Sequence, residues 1–543
     1  MFHKVEASNR RRVCLVRPQA ITSIHATDGN DAVAPLGLAY LAAALESAGH
    51  TVQGVDTVGS AVERYSVIPE SPRCLLHGLP NEEAVQLIDP DTDVIGVSCM
   101  FSTEWMVARQ LIEAIRARFP NALIVVGGEH VTACPDYTLR SCSAIDVGVL
   151  GEGEVTLLEV IDAYASGRGF EGVPGIIYRV GDEVMRSSTR DRIRDIDAIP
   201  EPAWDHFPVR NYIDAAMTHG ANLGRSMPIL ASRGCPYECT FCSSPYMWTT
   251  RWISRDPDAV IAEMKKYMRE YQVTNFDFED LTAIVDKRWI KTFTQKLKDA
   301  DLGITWQLPS GTRSEAIDYE VCQALHDSGC KIITYAPESG SQEELKRIKK
   351  KVKLERMLDS MKGARKAGMD IKCHFICGLP GGNWSDVRNT LRFFVKLAWI
   401  GVNDVSYFGY SPYPGATLFH ELQKEGKVAL DDEYFAQMYV STDVGNTKSY
   451  AEYMSPLQLR LVILLGYMTF YGSNCLFHPI RSAKIFWKVL MKDTSTKLTM
   501  ALAQKRHKRT IAKQVLTAES GTANVPAFTA PAEAQRRETA NTP

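Results

Sequence analysis

The chain has 543 residues, too many for one compact core, so two or three domains are expected. Hydrophobic residues make up 45% and charged residues 23%, as in ordinary globular proteins, and the net charge of -2 gives no reason to expect nucleic acid as a partner. The start of the chain lacks the apolar core of a signal peptide, and no apolar run reaches the ~20 residues of a membrane span. The longest candidate, Leu459 to Tyr471, is interrupted by Gly466. Thirteen cysteines without a secretory signal point to free thiols and metal sites in a reducing cytoplasm.

Residues 1–170 read as alternating strands and helices. Val13–Val16 is an apolar strand, Leu36 to Ala48 a helix stopped by Gly49, and Val94–Ser98 a second buried strand. A helix from Trp105 to Phe119 follows, then strands at Leu123–Val126 and Ile145–Leu150. This alternation predicts a parallel, doubly wound, Rossmann-like sheet, with ligands beyond the carboxyl ends of its strands. Ser98, Gly127-Gly128 and Gly151-Glu152-Gly153 stand at those ends, where glycine permits close backbone approach.

Residues 171–222 read as a linker or extension, with a hairpin around Gly181-Asp182. Residues 223–420 give a second βα series of six strands, too few for a closed eight-stranded barrel, so an open, partial (β/α)6 barrel of the TIM type is expected. Residues 421–514 read as helical, apolar from Leu457 to Phe470 and basic thereafter: Lys484, Lys488, Lys492, Lys497, Lys505, Arg506, Lys508 and Arg509. This basic stretch suits either a solvated face or contact with an anionic membrane surface. Residues 515–543, rich in Ala, Thr, Pro and Glu, are expected to be disordered.

The first barrel strand runs into Arg233-Gly-Cys235-Pro-Tyr-Glu-Cys239-Thr-Phe241-Cys242. Three thiolates at C-x3-C-x2-C spacing can grip three corners of a 4Fe–4S cube, and with no fourth cysteine in the loop one iron stays open to a small molecule. A structural zinc site would normally call on four ligands, often as two C-x2-C pairs, and no matching pair lies nearby.

The spacing, with Phe241 before the third cysteine, resembles the signature of the radical S-adenosylmethionine (SAM) enzymes over residues 228–415. That resemblance implies SAM chelated to the open iron, and its reductive cleavage to a deoxyadenosyl radical. It assigns Asp280 to the methionine ammonium, Arg313 to the SAM carboxylate and Glu338 to the ribose or ammonium. It also implies a reductant protein such as a flavodoxin or ferredoxin. In one departure, Gly381-Gly382-Asn383 stands where relatives carry an acid after Gly-Leu-Pro-Gly. Cys373 and Cys377, on the strand before it, read as core thiols.

Residues 12–165 resemble the cobalamin-binding domain of one branch of that family, through Pro35-Leu36-Gly37-Leu38-Ala39-Tyr40-Leu41, Gly127-Gly128-Glu129-His130 and Gly151-Glu152-Gly153-Glu154. Ser98, Gly127, Gly128, Gly151, Glu152 and Gly153 would then contact cobalamin, and His130 is a weak further candidate. The cobalt-ligating Asp-x-His-x-x-Gly motif is absent after Ser98. Methylthiotransferases instead carry a second cluster in this domain, but no trio among Cys14, Cys74, Cys99, Cys134 and Cys142 matches their placement. The resemblance implies methylation of an unactivated carbon of a small molecule or lipid. The runner-up is cyclisation, as in the anaerobic magnesium-protoporphyrin monomethyl ester cyclases.

Overall fold

The computed structural model describes residues 4–25, 32–68, 71, 73–439, 443–491, 497–517 and 522–524. The first sheet contains β1 (Arg12–Arg17), β2 (Thr51–Asp56), β3 (Val94–Ser98), β4 (Leu123–Gly127), β5 (Val147–Val149), β6 (Ile176–Val180) and β7 (Glu183–Arg186), in the order β7-β6-β5-β4-β3-β1-β2. The first five are parallel in the order 2-1-3-4-5, a doubly wound sheet whose switch point lies between β1 and β3. Helices cover both faces, which is why β3 and β4 read as unbroken apolar runs.

Two features depart from expectation. The hairpin β6–β7 belongs to this sheet, antiparallel to β5, rather than to a separate linker. Strand β2 went unread because Gly54 interrupts it; a Cβ there would collide with the carbonyl of His206, so the glycine admits the linker backbone against the sheet. That linker stitches the two halves together. Ala203 N–H donates to the Ala39 carbonyl at 2.9 Å, and the Trp204 indole donates to the Tyr267 hydroxyl at 3.0 Å.

A second, antiparallel sheet was not foreseen. It joins Ala20–Ser23, Arg64–Val67, Cys74–His77 and Thr522–Asn524. Within the tail expected to be disordered, residues 515–517 therefore close the helix Lys497–Thr517, and 522–524 pair with Arg64–Val67. The remainder of 515–543 lies outside the described residues.

The barrel strands are β8 (Ser226–Ile229), β9 (Asn275–Phe278), β10 (Thr305–Thr312), β11 (Cys330–Glu338), β12 (Asp370–Cys377) and β13 (Asp404–Gly409). They form one open parallel sheet in chain order. Side-chain caps start the intervening helices: Asp256, Asp286, Asp318 and Ser341 each accept a backbone N–H, and Asn383 closes a capping box with Asp386. Cys373 and Cys377 are buried core thiols.

The open β13 edge is covered by the helix Pro456–Phe477. Tyr407 N–H donates to the Tyr467 hydroxyl at 3.1 Å, and the Tyr471 hydroxyl donates to Asp404 at 2.5 Å. Gly466 serves this contact, since a Cβ there would lie 2.6 Å from the Tyr407 ring. This helix, at 22 residues, is long and apolar enough to cross a membrane, unlike the shorter run read from the sequence.

Candidate functional site

The cysteine loop follows β8 at the carboxyl-terminal mouth of the barrel. Asp280, just past β9, fastens its start by accepting from Ala231 N–H at 3.1 Å and from the Ser232 hydroxyl. Both carboxylate oxygens are thus engaged in positioning the loop, and burial pushes this acid up to about 6. The loop is held further on by Thr240, whose N–H donates to the Ile348 carbonyl at 3.0 Å and whose carbonyl accepts from Leu418 N–H at 2.9 Å. Ser244 N–H donates to the Cys242 sulfur at 3.4 Å.

Cys235, Cys239 and Cys242 are free and close enough to repel one another when ionised. Burial pushes all three thiols up, Cys242 to about 12, while Lys350 and Arg313 pull Cys235 and Cys239 back down. No three His, Cys, Asp or Glu groups among the described residues converge as a single metal ion requires. Three thiolates at C-x3-C-x2-C spacing suit a cube that takes each of them at a separate corner.

Two buried cations flank the thiols. The Arg313 guanidinium stacks on Tyr237 at 3.4 Å, pairs with Glu315 at 2.6 Å and donates to the Lys351 carbonyl. Its Nη1 is buried without a partner, so a donor remains for an incoming anion. Lys350, which the sequence reading missed, pairs with Glu338 at 2.9 Å and lies 5.8 Å from the Phe241 ring. Burial alone would push this ammonium down; Glu338 and the Cys239 thiol more than offset that. Glu338 itself adopts φ +65° at the end of β11.

The carboxyl edge of the first sheet faces this loop. Ser98 pairs with Gly127 across β3 and β4, and Cys99 N–H donates to the Gly127 carbonyl at 2.7 Å. Gly128 has φ +114°, and a Cβ there would lie 2.6 Å from the Cys99 carbonyl oxygen. Gly151 has φ +74° with open space before it, and Gly153 packs on Leu41. Met100 and Phe101, just past β3, are exposed although apolar.

Glu152, assigned by resemblance to cofactor contact, is committed elsewhere. It pairs with Arg192 at 3.2 Å and Arg233 at 3.4 Å, and Arg233 also pairs with Glu154 at 2.6 Å. Arg233 precedes the cysteine loop, so this ion cluster ties one domain to the other. Ser243 donates to Glu129 from the same loop, and Gly415 packs against Ala133.

His130 is a core residue rather than a loop contact. It stacks on Trp105 at 4.6 Å, meets Phe435, and shares a 3.0 Å hydrogen bond with the Ser102 hydroxyl. Burial pushes it down to about 3, so it is neutral. The five cysteines considered for a second cluster are all buried, and none is in a disulfide.

Beyond β13 lies a cavity of about 120 Å³ lined by Tyr410, Ser411, Tyr434, Thr447, Lys448 and Tyr450. The Tyr410 hydroxyl is buried there without a partner. Tyr410 and Ser411 directly follow β13, and the other residues named come from positions 434–450, which carry no motif.

Comparison with known proteins agrees with this layout. Residues 24–161 match the B12 binding domain and residues 229–394 the Radical SAM superfamily. An uncharacterized methyltransferase of Pyrococcus horikoshii is 29% identical over 75% of this chain and 82% of its own. The cytidylyl-2-hydroxyethylphosphonate methyltransferase of Streptomyces wedmorensis is 27% identical over 80% of this chain and 86% of its own. Among solved structures, the radical S-adenosylmethionine methyltransferase TsrM of Kitasatospora setae superposes with a TM-score of 0.59 at 19% identity, covering 76% of each chain. The chain is therefore a B12-binding radical SAM enzyme, in which the cobalamin domain and the cluster loop share one interface.

Proposed function

We propose that the protein is a cobalamin-dependent methyltransferase acting on an unactivated carbon of a small molecule or lipid. One observation carries the reading: the cysteine loop is bonded directly to the carboxyl edge of the first sheet, through Ser243 to Glu129 and Arg233 to Glu152 and Glu154. Two cofactors bound at these two edges would share one chamber.

When bound, the cluster, SAM and cobalamin supply one-electron cleavage of a sulfonium and carriage of a methyl group. The chain supplies the rest. Cys235, Cys239 and Cys242 would hold the cluster. Arg313 Nη1 would bind a carboxylate, and Lys350 with Glu338 keeps a fixed dipole beside the thiols. Ser98, Gly127, Gly128, Gly151 and Gly153 would line the cobalamin edge; Gly151 has open space before it, while Gly128 and Gly153 close on Cys99 and Leu41. Asp280 acts here as a positioning residue for the loop. Tyr410 and Lys448 would offer the substrate a hydroxyl and a cation in a cavity that Tyr434 and Tyr450 also line.

The test is anaerobic reconstitution with iron, sulfide and cobalamin, then incubation with SAM and a reductant such as reduced flavodoxin or ferredoxin. Iron, cobalt, deoxyadenosine and label transferred from methyl-labelled SAM are measured. The expected outcome is both metals bound, deoxyadenosine formed and methyl transferred to product. Changing all three cluster cysteines to Ala should remove iron and deoxyadenosine. Deoxyadenosine with no methyl transferred would favour the cyclase reading.

A further inference from the structure

We propose that the outward faces of the helices Trp384–Ile400, Pro456–Phe477 and Pro479–Leu490 form a docking surface for an anionic lipid bilayer. The proposal stands independently of the reaction assigned above.

On Pro456–Phe477, Leu457, Leu461, Leu464, Met468 and Leu476 are all more than half exposed. Their spacing of three or four residues, with Gly472 between the last two, aligns them in one stripe along the helix. The opposite face, with Leu459, Ile463, Gly466 and Phe470, is buried against the barrel. A helix fixed along one side in this way cannot cross a bilayer, but it can lie on one. Trp399 extends the stripe on one neighbouring helix, and Phe486 and Trp487 on the other; each is more than 60% exposed. Monomeric proteins rarely leave so large an apolar surface uncovered without a use for it.

Charge identifies the occupant. From 456 to 490 the sequence holds four Lys and Arg and no acid, in a chain whose overall net charge is -2. Arg388, Arg392 and Lys396 are exposed beside Trp399, and Lys484 is exposed on the third helix. Among the described residues these three helices present no exposed carboxylate: Asp386 is buried and paired with Arg347. Lys492 lies outside the described residues, as do the side chains of Lys488 and Lys497. A two-fold contact between copies would set these cations against one another, whereas an anionic headgroup layer neutralises them while the leucine stripe enters the acyl boundary.

The test is flotation of the reconstituted full chain with vesicles of phosphatidylcholine alone or with phosphatidylglycerol added. Wild type should float only with the anionic vesicles, and added salt should weaken this binding. Joint Arg388→Glu, Arg392→Glu and Lys396→Glu should remove the anionic preference, at roughly fivefold per cation. Joint Leu461→Gln, Leu464→Gln and Met468→Gln should weaken binding by at least about tenfold. Both variants alter exposed groups and should keep the wild-type iron content and melting temperature. Wild type that stays down with anionic vesicles, or folded variants that float unchanged, would overturn the proposal. So would a wild-type dimer that binds no vesicles and is dissociated by the leucine substitutions, since that marks the stripe as an interface between copies.

Discussion

Two buried cations, Arg313 and Lys350, stand beside the three thiols, and they were unequally visible in the sequence. Arg313 follows a barrel strand, where the fold places functional groups. Lys350 sits in the run Ile348-Lys349-Lys350-Lys351, which reads as a solvated stretch. Only the turn after the helix Gln342–Arg347 sends it inward to Glu338. His130 shows the reverse: a motif position offered as a weak candidate for a cobalamin contact is sealed between Trp105 and Phe435. Its burial has a consequence for pH. Its folded value of about 3 lies below the ordinary 6.5, so the unfolded chain binds the extra proton. Stability should therefore fall as pH drops below about 6.5, by ~1.4 kcal/mol per unit at most from this group, until about pH 3. Chemical denaturation at a series of pH values, in wild type and His130→Gln, tests this. The variant should show a shallower acid slope, and parallel slopes would refute the assignment.

At the level of elements, the parallel strands and the barrel's βα series were legible because their signals are local: apolar runs and glycine stops. Strand β2 and the antiparallel sheet were not, because their pairing depends on partners far along the chain, up to Thr522–Asn524. The helix Pro456–Phe477 was half read. Gly466 looked like an interruption, yet it is where the helix touches β13. Gly466→Ala should force a Cβ against the Tyr407 ring and cost about 1–3 kcal/mol, visible as a lowered melting temperature with cluster loading retained. An unchanged melting temperature would mean that this contact is loose.

Across the whole molecule, the two cofactor domains are joined by a buried ion cluster rather than by a flexible tether. Arg233→Met would leave Glu152 with Arg192 and the Ile193 N–H and strip Glu154 of its 2.6 Å partner. Breaking buried pairs in this way costs roughly 3–5 kcal/mol. Because the pairs span the domains, the loss should separate their unfolding. Calorimetry should show one transition in wild type and two in the variant, and a single shifted peak would place the energy within one domain.

The small core of Ile24, Tyr65 and Leu75 is completed by Ile511, Ala512 and Val515. On the ribosome, residues 24–75 must therefore wait for residues 511–515 before that core can close. Until then the Arg64–Val67 strand keeps an unpaired edge, a place where nascent chains on neighbouring ribosomes can pair with each other. Synthesis that halts after the barrel yields a product whose defect lies in its first hundred residues, far from the missing ones.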